Sequence, residues 1–245
     1  MVKFGIGGIL NSDFWFLIGG CLLPGFLYNS GMDNKTVEKV LKILKKKYRE
    51  WKVPIVTEIA SKTGDPFRVL VSTVLSSRTK DAVTRKASRR LFERASTPLG
   101  IAELSPREIE KLIFPVGFFR TKSRRIPELA EILIDKYKGR VPDTLEELLK
   151  LPGVGRKTAN LVLTVGFGKP GICVDTHVHR ISNRFGYVKT KNPMETEFAL
   201  REKLPEKWWI IYNDLLVTLG QNICFPRNPD CKGCPVNKLC EKINI

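Results

Sequence analysis

The chain has little of what would mark a membrane protein, a secreted disulfide scaffold or a β-architecture. Its best apolar run, residues 14–28, falls short of the roughly 20 residues needed to cross a bilayer. Gly19, Gly20, Pro24 and Gly25 also interrupt it. Lys3 would be a thin charged start for a secretory signal, but no convincing small-residue cleavage site follows. No stretch sustains the period-two alternation of a half-buried strand, and there is no long repeat or low-complexity linker. Histidine occurs only at positions 177 and 179. Acid is scarce beside base: 25 Asp and Glu against 42 Lys and Arg give +17 over 245 residues. Such a charge favours nucleic acid, or less often an anionic membrane surface, as partner; a solvated basic surface would give the same count. Cysteine is thin until the C-terminal end, where four of the six gather. That clustering reads as one metal or cluster site rather than a disulfide framework.

What is present is helical pattern, in a length suited to one large or two small domains. Val37, Val40, Leu41, Leu44 and Tyr48 fall on one helical face, with lysines opposite. Asp65-Pro66 starts a helix whose stripe is Phe67, Leu70, Val71, Val74 and Leu75. Ile126, Leu129, Ala130, Leu133, Ile134 and Tyr137 make another. Thr144 with Glu147 has the spacing of a capping box. Residues 161–165 are apolar nearly all round, so the helix through Lys157 is expected to be central and buried. Asn192-Pro193 opens a further helix, and Trp208, Ile211, Tyr212, Leu215, Leu216 and Leu219 stripe the last long one. The expected fold class is all-α. Residues 1–31 are an apolar preface expected to lie outside the fold, with translation beginning at Met32.

The most informative segment is Leu151-Pro152-Gly153-Val154-Gly155-Arg156-Lys157. Two glycines bracket one apolar residue between helical patterns, which permits a tight turn and close approach to a bulky partner. The amides that open the second helix suit a phosphate, and Lys157 places a primary amine beside them. Further on, Asp175 opens Val174-Asp175-Thr176-His177-Val178-His179-Arg180. Alone, Asp175 reads first as an N-cap. His177 and His179, two apart, do not face each other on a helix and read as structural or phosphate-contacting residues; Arg180 suits a phosphate or a carboxylate. Cys224, Cys231, Cys234 and Cys240 form C-x6-C-x2-C-x5-C, which suits zinc and an iron–sulfur cluster equally by spacing. Arg227, Lys232 and Lys238 in or beside that loop read either as solvated or as DNA-facing.

Together the stretch Leu151–Leu163, the Val174–His177 segment and the four-cysteine loop resemble the endonuclease III family, helix-hairpin-helix DNA base-excision glycosylases, over about residues 33–242. The resemblance implies a two-lobed fold: a six-helix barrel over 54–172, and a [4Fe–4S] lobe joining 33–53 to 173–242. It implies Lys157 as nucleophile at the sugar C1′, with the helix end and neighbouring Arg156 favouring its neutral amine, and Asp175 as stabiliser of the sugar cation. The cluster cysteines become metal ligands with no part in the glycosylase step. Gly153, Val154 and Gly155 would clamp DNA. Arg78 would fill the gap left by an extruded base, although bacterial relatives often carry glutamine there. Phe118 would wedge into the opposite strand, a role that core packing rivals. His177, Arg180 and Lys232 would make further DNA contacts. The implied activity is removal of oxidised pyrimidines, such as thymine glycol, with strand cleavage by β-elimination. The partner is damaged double-stranded DNA, without membrane, met by a monomer in the cytoplasm or on a nucleoid. Two other readings fit less of the pattern: a mismatch adenine or thymine glycosylase that does not cut the strand, and a non-catalytic DNA-binding module with a structural metal.

Overall fold

The computed structural model describes residues 31–51 and 53–245, so the reading of an apolar preface lies, for residues 1–30, outside the described residues. Every regular element among the described residues is helical. The chain runs α1 (Asn34–Lys47), α2 (Ile55–Thr63), α3 (Pro66–Ser76), α4 (Asp81–Arg94), α5 (Pro98–Ala102) and α6 (Pro106–Ile113). It continues through α7 (Phe119–Tyr137), α8 (Leu145–Leu148), α9 (Arg156–Leu161), α10 (Thr176–Arg184), α11 (Pro193–Lys203) and α12 (Trp209–Asn222). None of these helices is long and apolar enough to cross a membrane.

Short polar side chains fix the starts. Asp33 accepts from the Thr36 amide, Asp65 from Phe67 and Asn192 from Glu195, each supplying a partner for an amide that the helix leaves open. Ser105 and Glu108 form a full capping box at α6. At α8 only half of the expected box forms. Thr144 accepts from the Glu147 amide, but the Glu147 carboxylate turns to the Tyr137 hydroxyl and Lys150 instead.

Two apolar cores hold the protein. The first draws on residues from Ile55 to Leu163 together with Cys173, and Leu70, Leu75, Leu91, Ile109, Ile126 and Leu133 are sealed within it. Each such side chain contributes about 1.5–3 kcal/mol of burial. Helix α3 is its hub, touching α2, α4, α7 and α9, because its sequence is apolar on nearly every face. Helix α9 is buried along Thr158–Leu161 and runs into a π turn, Val162–Gly166. The second core joins α1 to α10, α11 and α12, with Leu41, Leu44, Phe185, Tyr187 and Tyr212 at its centre.

The chain crosses between the cores at residues 172–174. Ile172 and Val174 belong to the second core and Cys173, between them, to the first. That alternation is what extended backbone produces, since successive side chains point to opposite sides. The crossing delivers the next residue, Asp175, to the groove between the two cores.

Candidate active site

A cleft of about 820 Å³ opens there. Lys157, Asp175, His177, Arg78, Asp81, Thr57, Asn213 and Asp214 are among the side chains that line it. The sequence points to the first four of these, and to Asp81 as the end of the Arg78 loop, but not to Thr57, Asn213 or Asp214.

The hairpin that carries Lys157 is built by local rules. Gly153 has φ +78°, a left-handed conformation that side chains rarely adopt. The Val154 amide closes the turn on Leu151 O at 3.2 Å, and the Val154 side chain is buried. Gly155 caps α9 without a side chain, so nothing of its own occupies the first amides of the helix. Lys157 lies in the first turn, exposed, and its carbonyl oxygen accepts from the buried Cys173 thiol at 3.4 Å.

The surroundings of Lys157 differ from the expectation in one respect. The Arg156 guanidinium is engaged elsewhere. It makes two bonds to Glu197, Nε to Oε2 at 3.0 Å and Nη2 to Oε1 at 2.6 Å, and Arg201 shares that carboxylate. Glu197 is 4% exposed and also receives Asn160. The nearby cation is Lys122 of α7, buried, whose amine donates to Leu75 O at 2.9 Å and Ser77 O at 2.7 Å. Burial, with the like charge of Lys157 behind it, pushes the Lys122 amine down to about 8.

Asp175 caps α10 and still faces the cleft. Its Oδ1 accepts from the amides of both His177 and Val178 at 2.8 Å, which leaves Oδ2 without a described partner. The capping and chemical readings of this residue are therefore compatible. Burial pushes the His177 imidazole below its usual range, and its Nδ1 faces the Arg180 guanidinium at 3.1 Å. Because arginine only donates, Nδ1 is an acceptor and the ring is neutral. Arg180 itself turns inward: Nη2 donates to Cys224 O at 2.8 Å, and it is not among the cleft residues. His179 is directed to Thr196 Oγ1 at 2.7 Å.

Arg78 and Phe118 sit together at exposed loop tips. Both have left-handed backbone, φ 53° and 57°, and the guanidinium lies 5.3 Å from the Phe118 ring centre. Phe118 is 59% exposed, which removes core packing as its role. Gly117 joins the two tips: its amide donates to Thr79 Oγ1, and a Cβ there would collide with Arg78 O.

The four cysteines after α12 surround one small cavity with Phe185, Leu219 and Ile223. Burial raises the Cys234 thiol to about 11 and raises Cys240 as well, so the protein alone does not favour thiolates there. Arg184, buried, donates to Cys224 Sγ at 3.3 Å and to the carbonyls of Phe225 and Pro226. Among the described residues, no three Cys, His, Asp or Glu converge tightly enough to hold a single metal ion. Cysteines set around a cavity rather than a point fit a multi-iron cluster, where each thiolate takes its own iron, better than zinc. Lys232 is exposed on this loop and is not a cleft residue.

Comparison with known proteins agrees with this arrangement. The family described as "HhH-GPD superfamily base excision DNA repair protein" matches residues 71–206. The chain is 57% identical over 180 residues to "Endonuclease III" of Thermotoga maritima, covering 74% of this chain and 84% of that one. It superposes with a TM-score of 0.77 on a structure titled "Structure of a Trapped Endonuclease III-DNA Covalent Intermediate: Estranged-Adenine Complex", at 36% identity, covering 86% of this chain and 97% of that one. A thermostable thymine-DNA glycosylase superposes at 0.73 with 27% identity, covering 85% and 97%. The hairpin, the cleft and these likenesses together show that the chain belongs to the endonuclease III family of the HhH-GPD superfamily.

Proposed function

We propose that this chain removes oxidised pyrimidines from double-stranded DNA and then cuts the strand at the abasic site through an imine on Lys157. The chain is a base-excision-repair enzyme, a DNA glycosylase and abasic-site lyase; the substrate class and residue roles are the finer reading. One observation carries it: Lys157 and Asp175 line the same cleft, one from each core.

A base inside a duplex hides its glycosidic bond, so the nucleotide must leave the stack. Arg78 and Phe118, exposed and braced against each other, would fill the space it vacates. The Lys157 amine then attacks C1′, and the base leaves with the glycosidic electron pair and takes up a proton. Asp175 Oδ2 stabilises the positive charge that develops on the sugar. The sugar ring opens to give an imine with Lys157. Loss of a C2′ proton, for which Asp175 is the nearby base, expels the 3′ phosphate and breaks the strand. The attack needs the amine in its neutral form, and Lys157 presents that amine, exposed, in the first turn of α9. Cys224, Cys231, Cys234 and Cys240 would hold a [4Fe–4S] cluster, which cross-links a basic loop and takes no part in these steps.

Lys157 also separates this reading from a glycosylase that only releases the base. Duplex DNA with one thymine glycol should yield both free base and a nicked strand. Base release with the strand left intact would instead place the chain beside the thymine-DNA glycosylase. Neither product would leave a DNA-binding module.

A further inference from the structure

Asp214 is a cleft residue that the chemistry above does not use. It projects from α12, is 8% exposed, and lines the same cleft as Lys157 and Asp175. Two neutral hydroxyls hold it. Thr57 Oγ1 of α2 lies 2.8 Å from Oδ1 and 3.0 Å from Oδ2, and the Tyr48 hydroxyl donates to Oδ2 at 3.3 Å. Among the described residues no lysine or arginine pairs with it, and the other charged groups of the cleft wall include Asp81, Lys157 and Asp175. Burial without a cation raises its carboxyl to about 6. A buried carboxylate costs stability unless it is paired, so its presence in a cleft asks for a function. Its neighbour Asn213 is already committed, donating to Cys173 O at 3.0 Å, and so braces the crossing segment rather than a ligand.

We infer that Asp214 is a specificity-determining residue that reads the extruded base, accepting a hydrogen bond from a pyrimidine N–H. The inference rests on the repair reading given above. A carboxylate only accepts, and thymine-derived lesions offer a ring N3–H while cytosine-derived ones offer an exocyclic amine. Thr57 and Tyr48 fix the carboxylate plane, as a group that must meet a planar ring requires. An abasic site has no base to read, so the two halves of the activity separate the base reader from a residue that supports Lys157.

The test compares wild type, D214N and T57V on duplex DNA bearing thymine glycol and on the same duplex bearing an abasic site. For D214N, the ratio of base release to abasic-site cutting should fall about ten- to a hundredfold, the scale of losing one hydrogen bond to a charged group. T57V should shift the same ratio in the same direction by less. D214N should melt no lower than wild type at pH 7, because it removes a buried charge. Equal loss of both activities, no change in the ratio, or a large drop in melting temperature would each overturn the inference. Wild type that performs neither reaction would overturn the repair reading itself, and the role of Asp214 with it.

Discussion

The two walls of the cleft are chemically unlike. The wall built on the first core presents cations: Lys157 and Arg78 at the surface, with Lys122 buried behind them. Its one carboxylate, Asp81, accepts from the Ile55 amide and so serves the start of α2. The wall built on the second core presents carboxylates, Asp175 and Asp214. Neither core holds the reaction alone. Lys157, the proposed nucleophile, comes from one and Asp175, the proposed stabiliser of the sugar cation, from the other, and residues 172–174 lock them together by alternating between the two cores. The Arg156–Glu197 pair and the Thr57–Asp214 and Asn213–Cys173 bonds cross the same gap. What the contrast teaches is that the seam uses opposite charges in two ways: Arg156 and Glu197 pair across it, while Lys157 and Asp175, rooted in separate cores, face the cleft with no ion pair between them among the described residues.

That contrast can be broken from either wall. The largest effect should come from Lys157→Gln, which removes the amine: strand cutting at abasic sites, followed on a gel, should fall below detection. On the other wall, Asp175→Asn should cost about a hundredfold to ten-thousandfold in base release. It should leave the melting temperature close to wild type, since the amide oxygen can still cap α10. A loss of stability without a loss of rate would make Asp175 a cap and nothing more.

The seam itself comes next. Glu197→Gln strands Arg156 and Arg201 without their buried partner, and denaturant unfolding should show a loss of about 3–5 kcal/mol. Burial works against the Glu197 carboxylate, but its bonds and charge pairs with Arg156 and Arg201 hold it below the ordinary range. Its contribution is therefore present above the usual glutamate pKa and lost as pH falls through the lowered value; a seam stability flat across acid pH would contradict the pairing. The smallest effect is at Asp214. Its folded pKa is raised, so its contribution is fully present below the ordinary carboxylate range and lost as pH rises through about 6. Asp214→Asn should accordingly add stability at pH 7, up to about 1–3 kcal/mol, and less near pH 4. Destabilisation at pH 7 would show the carboxylate to be a structural partner instead.

The parts of this molecule that were legible in its sequence are those governed by near neighbours. Asp65, Thr144, Asp175 and Asn192 cap helices two or three residues on, and the apolar stripes of α1, α3, α7 and α12 set their buried faces. The hairpin glycines and the cysteine spacing belong to the same class. The unread residues depend on partners far along the chain. Asp214 meets Thr57 across 157 positions, Lys122 meets Ser77 across 45, and Arg156 meets Glu197 across 41. No periodicity or local spacing encodes those pairs. Arg156 and Arg180, both read as acting on Lys157 or DNA, instead spend their guanidinium groups on Glu197 and on the Cys224 carbonyl.

The central claim is that the amine of Lys157, and no other, bonds to the sugar. Lys122 is the rival within the fold, an amine already pushed down to about 8 but buried and donating to two carbonyls. Borohydride added to the enzyme turning over thymine glycol DNA should trap a covalent adduct, and peptide mapping should place the modified lysine at 157. An adduct at Lys122 or elsewhere, or strand cutting with no adduct at all, would contradict the account.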